Sequence, residues 1–140
     1  MTIIFDFNRT IYDPETDTSV PGAIEVLNTL YIRGETLHLI SRREQGREKL
    51  LSDLGIEHMF ASVSFVDEKE IAIQKIIRES SDPVYVVGDH LHDEMCAGNK
   101  HGARTVWLKR GKFAELQPET DADVPWRTIE SMHELLEIIA

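Results

Sequence analysis

An α/β three-layer sandwich with a mostly parallel sheet is the fold class predicted by three features of the chain. Short apolar runs alternate with amphipathic stretches along nearly its whole length, the pattern of strands joined by crossover helices. The first run, TIIFDF at residues 2–7, is almost continuously apolar, as a central strand buried on both faces must be. With 140 residues, 41% hydrophobic and 29% charged, the chain suits a single domain, 1–140, around one core.

Each element follows in order. Residues 8–20 (NRTIYDPETDTSV) are polar and rich in turn formers. Residues 21–34 (PGAIEVLNTLYIRG) predict a helix opened by Pro21 and stopped by Gly34, with Ile24, Leu27 and Tyr31 on one face. TLHLIS (36–41) predicts the second strand, and REQGREKLLSDLG (43–55) a helix closed by Gly55. ASVSFV (61–66) predicts the third strand, and EKEIAIQKIIRES (68–80) a helix that turns Ala72, Ile73, Ile76 and Ile77 inward. PVYVVGD (83–89) is the fourth strand, HDEMCAGNKHG (92–102) a short helix and RTVWLK (104–109) the fifth strand. Residues 110–127 read as a surface loop. The final SMHELLEIIA carries capping-box spacing at Ser131 and Glu134, and Met132, Leu135, Leu136 and Ile139 form one apolar face. The expected sheet has five strands, with helices on both faces.

Charge and composition narrow the function classes. The net charge is −10 and the isoelectric point about 5.0, which disfavours nucleic-acid phosphates and anionic membranes as partners. No apolar run approaches the ~20 residues that span a bilayer, and the N-terminus lacks the basic-then-apolar pattern of a secretory leader. The lone Cys96 cannot form an internal disulfide or a cysteine zinc site, and it fits a reducing cytoplasm. The Gly-rich nucleotide-binding patterns are missing. The pair His90 and His92 has no third histidine nearby to complete a zinc set.

In a parallel α/β sheet, ligands bind beyond the carboxyl ends of the strands. The first strand delivers Asp6 there, the second Ser41, and the fourth Asp89, with Asp93 four residues on; Lys69 opens the helix after the third. Carboxylates, a hydroxyl and an ammonium therefore converge on one rim. Each has a plain structural alternative. Ser41 could cap the following helix, Asp93 could serve a helix dipole, and Lys75 competes with Lys69. A charge on a buried strand end, as at Asp6, needs a partner or a metal.

In that order, the set resembles the haloacid dehalogenase (HAD) superfamily. The motifs are Asp6-Phe7-Asn8-Arg9-Thr10 after a hydrophobic strand, Ser41 closing LHLIS, Lys69 at a helix start, and VVGDHLHD with Asp89 and Asp93. PGAIEVL and AGNKHGARTVWLKRG also look like this family. The resemblance implies a Rossmann-like fold and a Mg²⁺-dependent phosphatase in which Asp6 attacks phosphorus and forms an aspartyl-phosphate. It assigns Mg²⁺ to Asp6, the backbone carbonyl of Asn8 and Asp89, with Asp93 in support, and the phosphoryl oxygens to Ser41 and Lys69.

One position departs from the phosphatase pattern. The second acid of the first motif, a general acid and base in such enzymes, is Asn8 here, which cannot exchange a proton near neutral pH. That assistance is typically worth ~10²–10⁴-fold. Three readings follow: a slow or selective phosphatase for substrates with good leaving groups, a dehalogenase-type hydrolase, or a regulatory or binding module without turnover. The spacings before Pro21 and between Ser41 and Lys69 are too short for a cap domain, which weakens the dehalogenase reading. An uncapped site suits a phosphorylated substrate, small or large, or coverage by a second copy in a homo-oligomer.

Overall fold

The computed structural model describes residues 1–139. Its main sheet has six strands in the order β5-β4-β1-β6-β7-β8: β1 (Thr2–Phe5), β4 (Thr36–Arg42), β5 (Ser62–Val66), β6 (Val84–Gly88), β7 (Arg104–Leu108) and β8 (Arg127–Ile129). Every neighbouring pair is parallel. Central β1 is flanked by β4 and β6, with Ile3 opposite Leu37 and Tyr85. The alternation read from the sequence thus yields the expected parallel α/β sheet.

Strand periodicity divides the core into two layers. Ile3 and Phe5 of β1, with Tyr85 and Val87 of β6, face a cluster that includes Val26, Leu27 and Leu30 of α1 (Ala23–Ile32) and Leu135 of α5 (Leu135–Ile138). Ile4, Val84 and Val86 face the other side, against Ile73 of α3 (Lys69–Glu79) and Ala97 of α4 (Cys96–Lys100). The remaining helix, α2 (Arg47–Asp53), buries Leu51 in the first cluster.

The structure corrects several expectations. The buried stripe of α1 is Ala23, Val26, Leu27 and Leu30, whereas Tyr31 is 44% exposed. The true stripe follows i, i+3, i+4, i+7 from Ala23, which leaves Tyr31 at its edge with its ring against His58. Residues 8–20 hold a small antiparallel pair, β2 (Tyr12–Asp13) and β3 (Thr18–Ser19), anchored by Tyr12 stacked on Phe7. The expected helix at 92–102 is a π-helical turn, Leu91–Met95, that runs into α4. The sixth strand, β8, has one buried residue, Ile129; three residues with one inward side chain leave no alternation to read. Gly34 stops α1 as predicted, at φ 85°, where a side chain would be strained. The Ser131–Glu134 capping box also forms, with Glu134 accepting from the Ser131 and Glu130 amides at 2.8 Å each.

The Asn99 side chain ties the segment before β8 to the sheet. Asn99 Nδ2 donates to the carbonyls of Ala122 (2.6 Å) and Val124 (2.8 Å), while its Oδ1 accepts from Thr105 Oγ1 at 2.7 Å. Replacing Asn99 with Ala leaves these groups unpaired, at about 1–3 kcal/mol. Amide hydrogen exchange of Asn99→Ala is expected to accelerate across residues 119–125, with β1 and β6 unchanged; equal acceleration throughout the sheet would contradict this tether.

Candidate active site

The carboxyl ends of the central strands open into a cleft of about 390 Å³ whose lining includes Asp6, Asn8, Ser41, Lys69, Asp89 and Asp93. These six residues named from the sequence are therefore brought to one place. Lys75 lies elsewhere, in a surface groove with Gln74 and Arg78.

Parallel pairing sets this convergence. The Asp6 amide donates to the Val87 carbonyl at 3.0 Å, so the ends of β1 and β6 advance in step and Asp6 stands beside Asp89. Lys69, the first residue of α3, is 6% exposed and puts Nζ 2.6 Å from Asp6 Oδ1. Thr10 Oγ1 donates to Asp6 Oδ2 at 3.4 Å. Ser41 is buried, and its hydroxyl makes a single long contact of 3.4 Å to the Arg42 carbonyl. It does not cap α2, whose N-cap is Gly46.

The sequence reading missed Glu94. This 2%-exposed carboxylate reaches Lys69 Nζ at 3.3 Å through Oε2, while its Oε1 accepts from the Asp89 and His90 amides at 3.0 and 3.1 Å. Asp93, four residues after Asp89, lines the cleft, but its Oδ2 accepts from Arg42 Nε and Nη2 at 3.2 and 2.9 Å and lies 3.9 Å from Lys69 Nζ. The π-helical turn decides between them. With an extra residue per turn, it is the fifth residue after Asp89 that points back into the site. Gly88 is the complementary signal, since a Cβ there would lie 2.7 Å from Glu94 Cδ.

Charge in this interior is unbalanced. Oxygens of Asp6, Asp89 and Glu94 lie within 4.8 Å of one another, and Lys69 is the ammonium among them. Burial by itself would strip the proton from Lys69, but Asp6, Glu94 and Asp93 outweigh it and raise its pKa. Burial, then Asp6 and Glu94, push Asp89 up to about 10; burial, then Asp6, push Glu94 up to about 7. Asp89 Oδ2 is buried without a hydrogen-bond partner. A converging acidic set with an orphaned oxygen fits a hard divalent cation. His90 and His92 belong to no such cluster among the described residues; His92 Nδ1 is 2.7 Å from Asp123 Oδ2.

Comparison with known proteins finds relatives in sequence and in fold. The HAD-hydrolase-like family model matches residues 69–135. A glyceraldehyde 3-phosphate phosphatase of Methanopyrus kandleri is 36% identical over 104 residues, which is 66% of this chain and 43% of that protein. In sequence and fold the chain is similar to HAD hydrolases. It spans less than half the length of that phosphatase. Solved structures share the fold. D,D-heptose 1,7-bisphosphate phosphatase of B. bronchiseptica, complexed with magnesium and phosphate, has a TM-score of 0.76 at 14% identity, with 98% of each chain covered. A protein of Burkholderia xenovorans LB400, named for its likeness to haloacid dehalogenases, has a TM-score of 0.82 at 14% identity, covering 99% of this chain and 95% of that one.

Two expectations follow for this HAD-fold site. In the metal-free protein, Asp89 and Glu94 retain protons that the unfolded chain releases near pH ~4. Their protonated forms stabilise the fold fully below that pH, and this stability is lost as pH rises through about 7 for Glu94 and about 10 for Asp89. The metal-free melting temperature should fall between about pH 5 and pH 9, and Asp89→Asn should flatten the slope; a parallel slope in the variant would refute the assignment. Separately, Gly88→Ala forces Glu94 out of its position and should destabilise by about 1–3 kcal/mol, measured by urea unfolding. Wild-type stability in Gly88→Ala would mean that Glu94 does not occupy that space.

Proposed function

We propose that the protein is a Mg²⁺-dependent phosphatase that works through an aspartyl-phosphate on Asp6. The observation that carries this reading is the buried convergence of Asp6, Asp89 and Glu94 on Lys69 at the carboxyl rim of the sheet. The relatives named for phosphatase activity on glyceraldehyde 3-phosphate and heptose 1,7-bisphosphate support a small phosphorylated substrate.

The chain's own groups divide the work. Asp6 attacks phosphorus, the bond to the leaving oxygen breaks, and water later cleaves the acyl phosphate. Ser41 and Lys69 bind the transferring phosphoryl oxygens, where negative charge builds. Asp6, the Asn8 carbonyl and Asp89 would hold Mg²⁺, with Glu94 and Asp93 around them. The bound ion supplies charge neutralisation between carboxylate and phosphate. Asn8 has no proton to give, so the leaving oxygen takes one from solvent. Acyl and aryl phosphates, whose leaving groups need little protonation, are therefore the favoured substrates.

A second reading, a binding or regulatory module without turnover, is supported by the side chain of Asn8. Its Nδ2 donates to Glu44 Oε2 at 3.3 Å, and its Oδ1 is buried without a partner. Assays with acetyl phosphate and p-nitrophenyl phosphate in Mg²⁺ separate the two. On the phosphatase reading, the wild type releases phosphate, Asp6→Asn abolishes release, and Asn8→Asp accelerates it toward the lower end of ~10²–10⁴-fold, because the new carboxyl faces Glu44. An inert wild type that gains activity in Asn8→Asp would favour the regulatory module. Wild-type activity that survives Asp6→Asn would remove Asp6 as nucleophile.

A further inference from the structure

Of the cations that line the cleft, Lys69 serves the transferred group and Arg42 is spent. Lys69 is engaged by Asp6 and Glu94. Arg42 commits Nε and Nη2 to Asp93 and Nη1 to the Asp67 carbonyl at 3.0 Å. Arg9 differs. It uses only Nε, which donates to Glu15 Oε1 at 2.8 Å; neither of its Nη nitrogens donates a hydrogen bond among the described residues.

Arg9 is nevertheless held in place. Its backbone sits at φ 62°, uncommon for a residue with a side chain, and its amide donates to the Tyr12 carbonyl at 2.6 Å. The guanidinium carbon lies 5.1 Å from the centroid of the Phe113 ring, and that ring packs against His90 at 4.5 Å. Lys112 Nζ, 5.4 Å from the same ring, adds positive charge at this rim. The side chain is 19% exposed. A cation pre-positioned with two unspent nitrogens, three residues from Asp6 and lining the same cleft, presents the fork that pairs with a carboxylate or phosphate. An aromatic and cationic wall of this kind is needed in a chain whose net charge is −10, where an anionic substrate otherwise meets repulsion.

We propose that Arg9 binds a second anionic group, carried on the part of the substrate that is not transferred, so that the substrate class is a small phosphate ester bearing a carboxylate or a second phosphate. This rests on the phosphatase reading for the position of the first phosphate.

The test is a binding measurement that needs no turnover. Isothermal titration in Mg²⁺ compares 4-phosphonobutanoate with its uncharged carboxamide, and with propane-1,3-diylbisphosphonate. The acid or the bisphosphonate is expected to bind wild type at least about tenfold more tightly than the carboxamide, as a charge-assisted pair allows; which of them gains identifies the anion. Arg9→Gln should erase the preference, Arg9→Lys should keep part of it, and Glu15→Gln should keep it whole. Equal affinity for all three probes in wild type, no binding of any, or a preference that survives Arg9→Gln overturns the proposal. Failure of the phosphatase reading looks different: no phosphate release from acetyl or p-nitrophenyl phosphate, while the phosphonate preference remains.

Discussion

The structure depends on one buried ammonium set among carboxylates. Lys69 lies 2.6 Å from Asp6 and 3.3 Å from Glu94, with 6%, 5% and 3% of the respective side chains exposed. Removing such charges from water is costly unless each is paired, and one cation cannot neutralise three acids. Burial and the neighbouring Asp6 carboxylate accordingly push the pKa values of Asp89 and Glu94 upward. These groups come from the two central strands β1 and β6, from α3 and from the turn after β6.

The same arrangement explains why Glu94 has two jobs. One carboxylate oxygen meets Lys69 and the other accepts the Asp89 and His90 amides, which pins the turn that carries Asp89. Trp107 Nε1, donating to the Asp89 carbonyl at 2.8 Å, holds that turn from the other side. Gly88 is required because the Glu94 side chain crosses directly over it. Chemistry and local backbone geometry are coupled there, and neither can change alone.

Around this rigid floor, the rim comes from segments far apart in sequence. Arg9 follows the first strand, Arg42 ends the second strand of the main sheet, and Phe113 arrives from the segment before β8. That segment is fastened through Asn99 and through Asp123, which accepts from the Glu119 amide at 2.9 Å and meets His92. The floor carries the acids and the lysine, whereas the rim carries the two arginines and the aromatic ring.

Much of this was legible in the chain itself. Apolar periodicity and the order of elements determined a parallel α/β sheet, and the strand ends placed Asp6, Ser41, Lys69 and Asp89 on one rim, because side chains beyond the carboxyl ends of parallel strands have nowhere else to converge. The family resemblance marked Asn8 as the position where the second acid of the first motif is replaced. Tertiary structure decided the rest. It put Glu94 beside Lys69, since the reach of an acid past a strand depends on whether the turn is α or π, a matter of one residue that periodicity cannot resolve. It made a strand of Arg127–Ile129, where one inward residue carries no pattern. It left Arg9 over Phe113 with Nη nitrogens that donate to nothing among the described residues, because a side chain's unspent hydrogen bonds are known only when its long-range neighbours are in place.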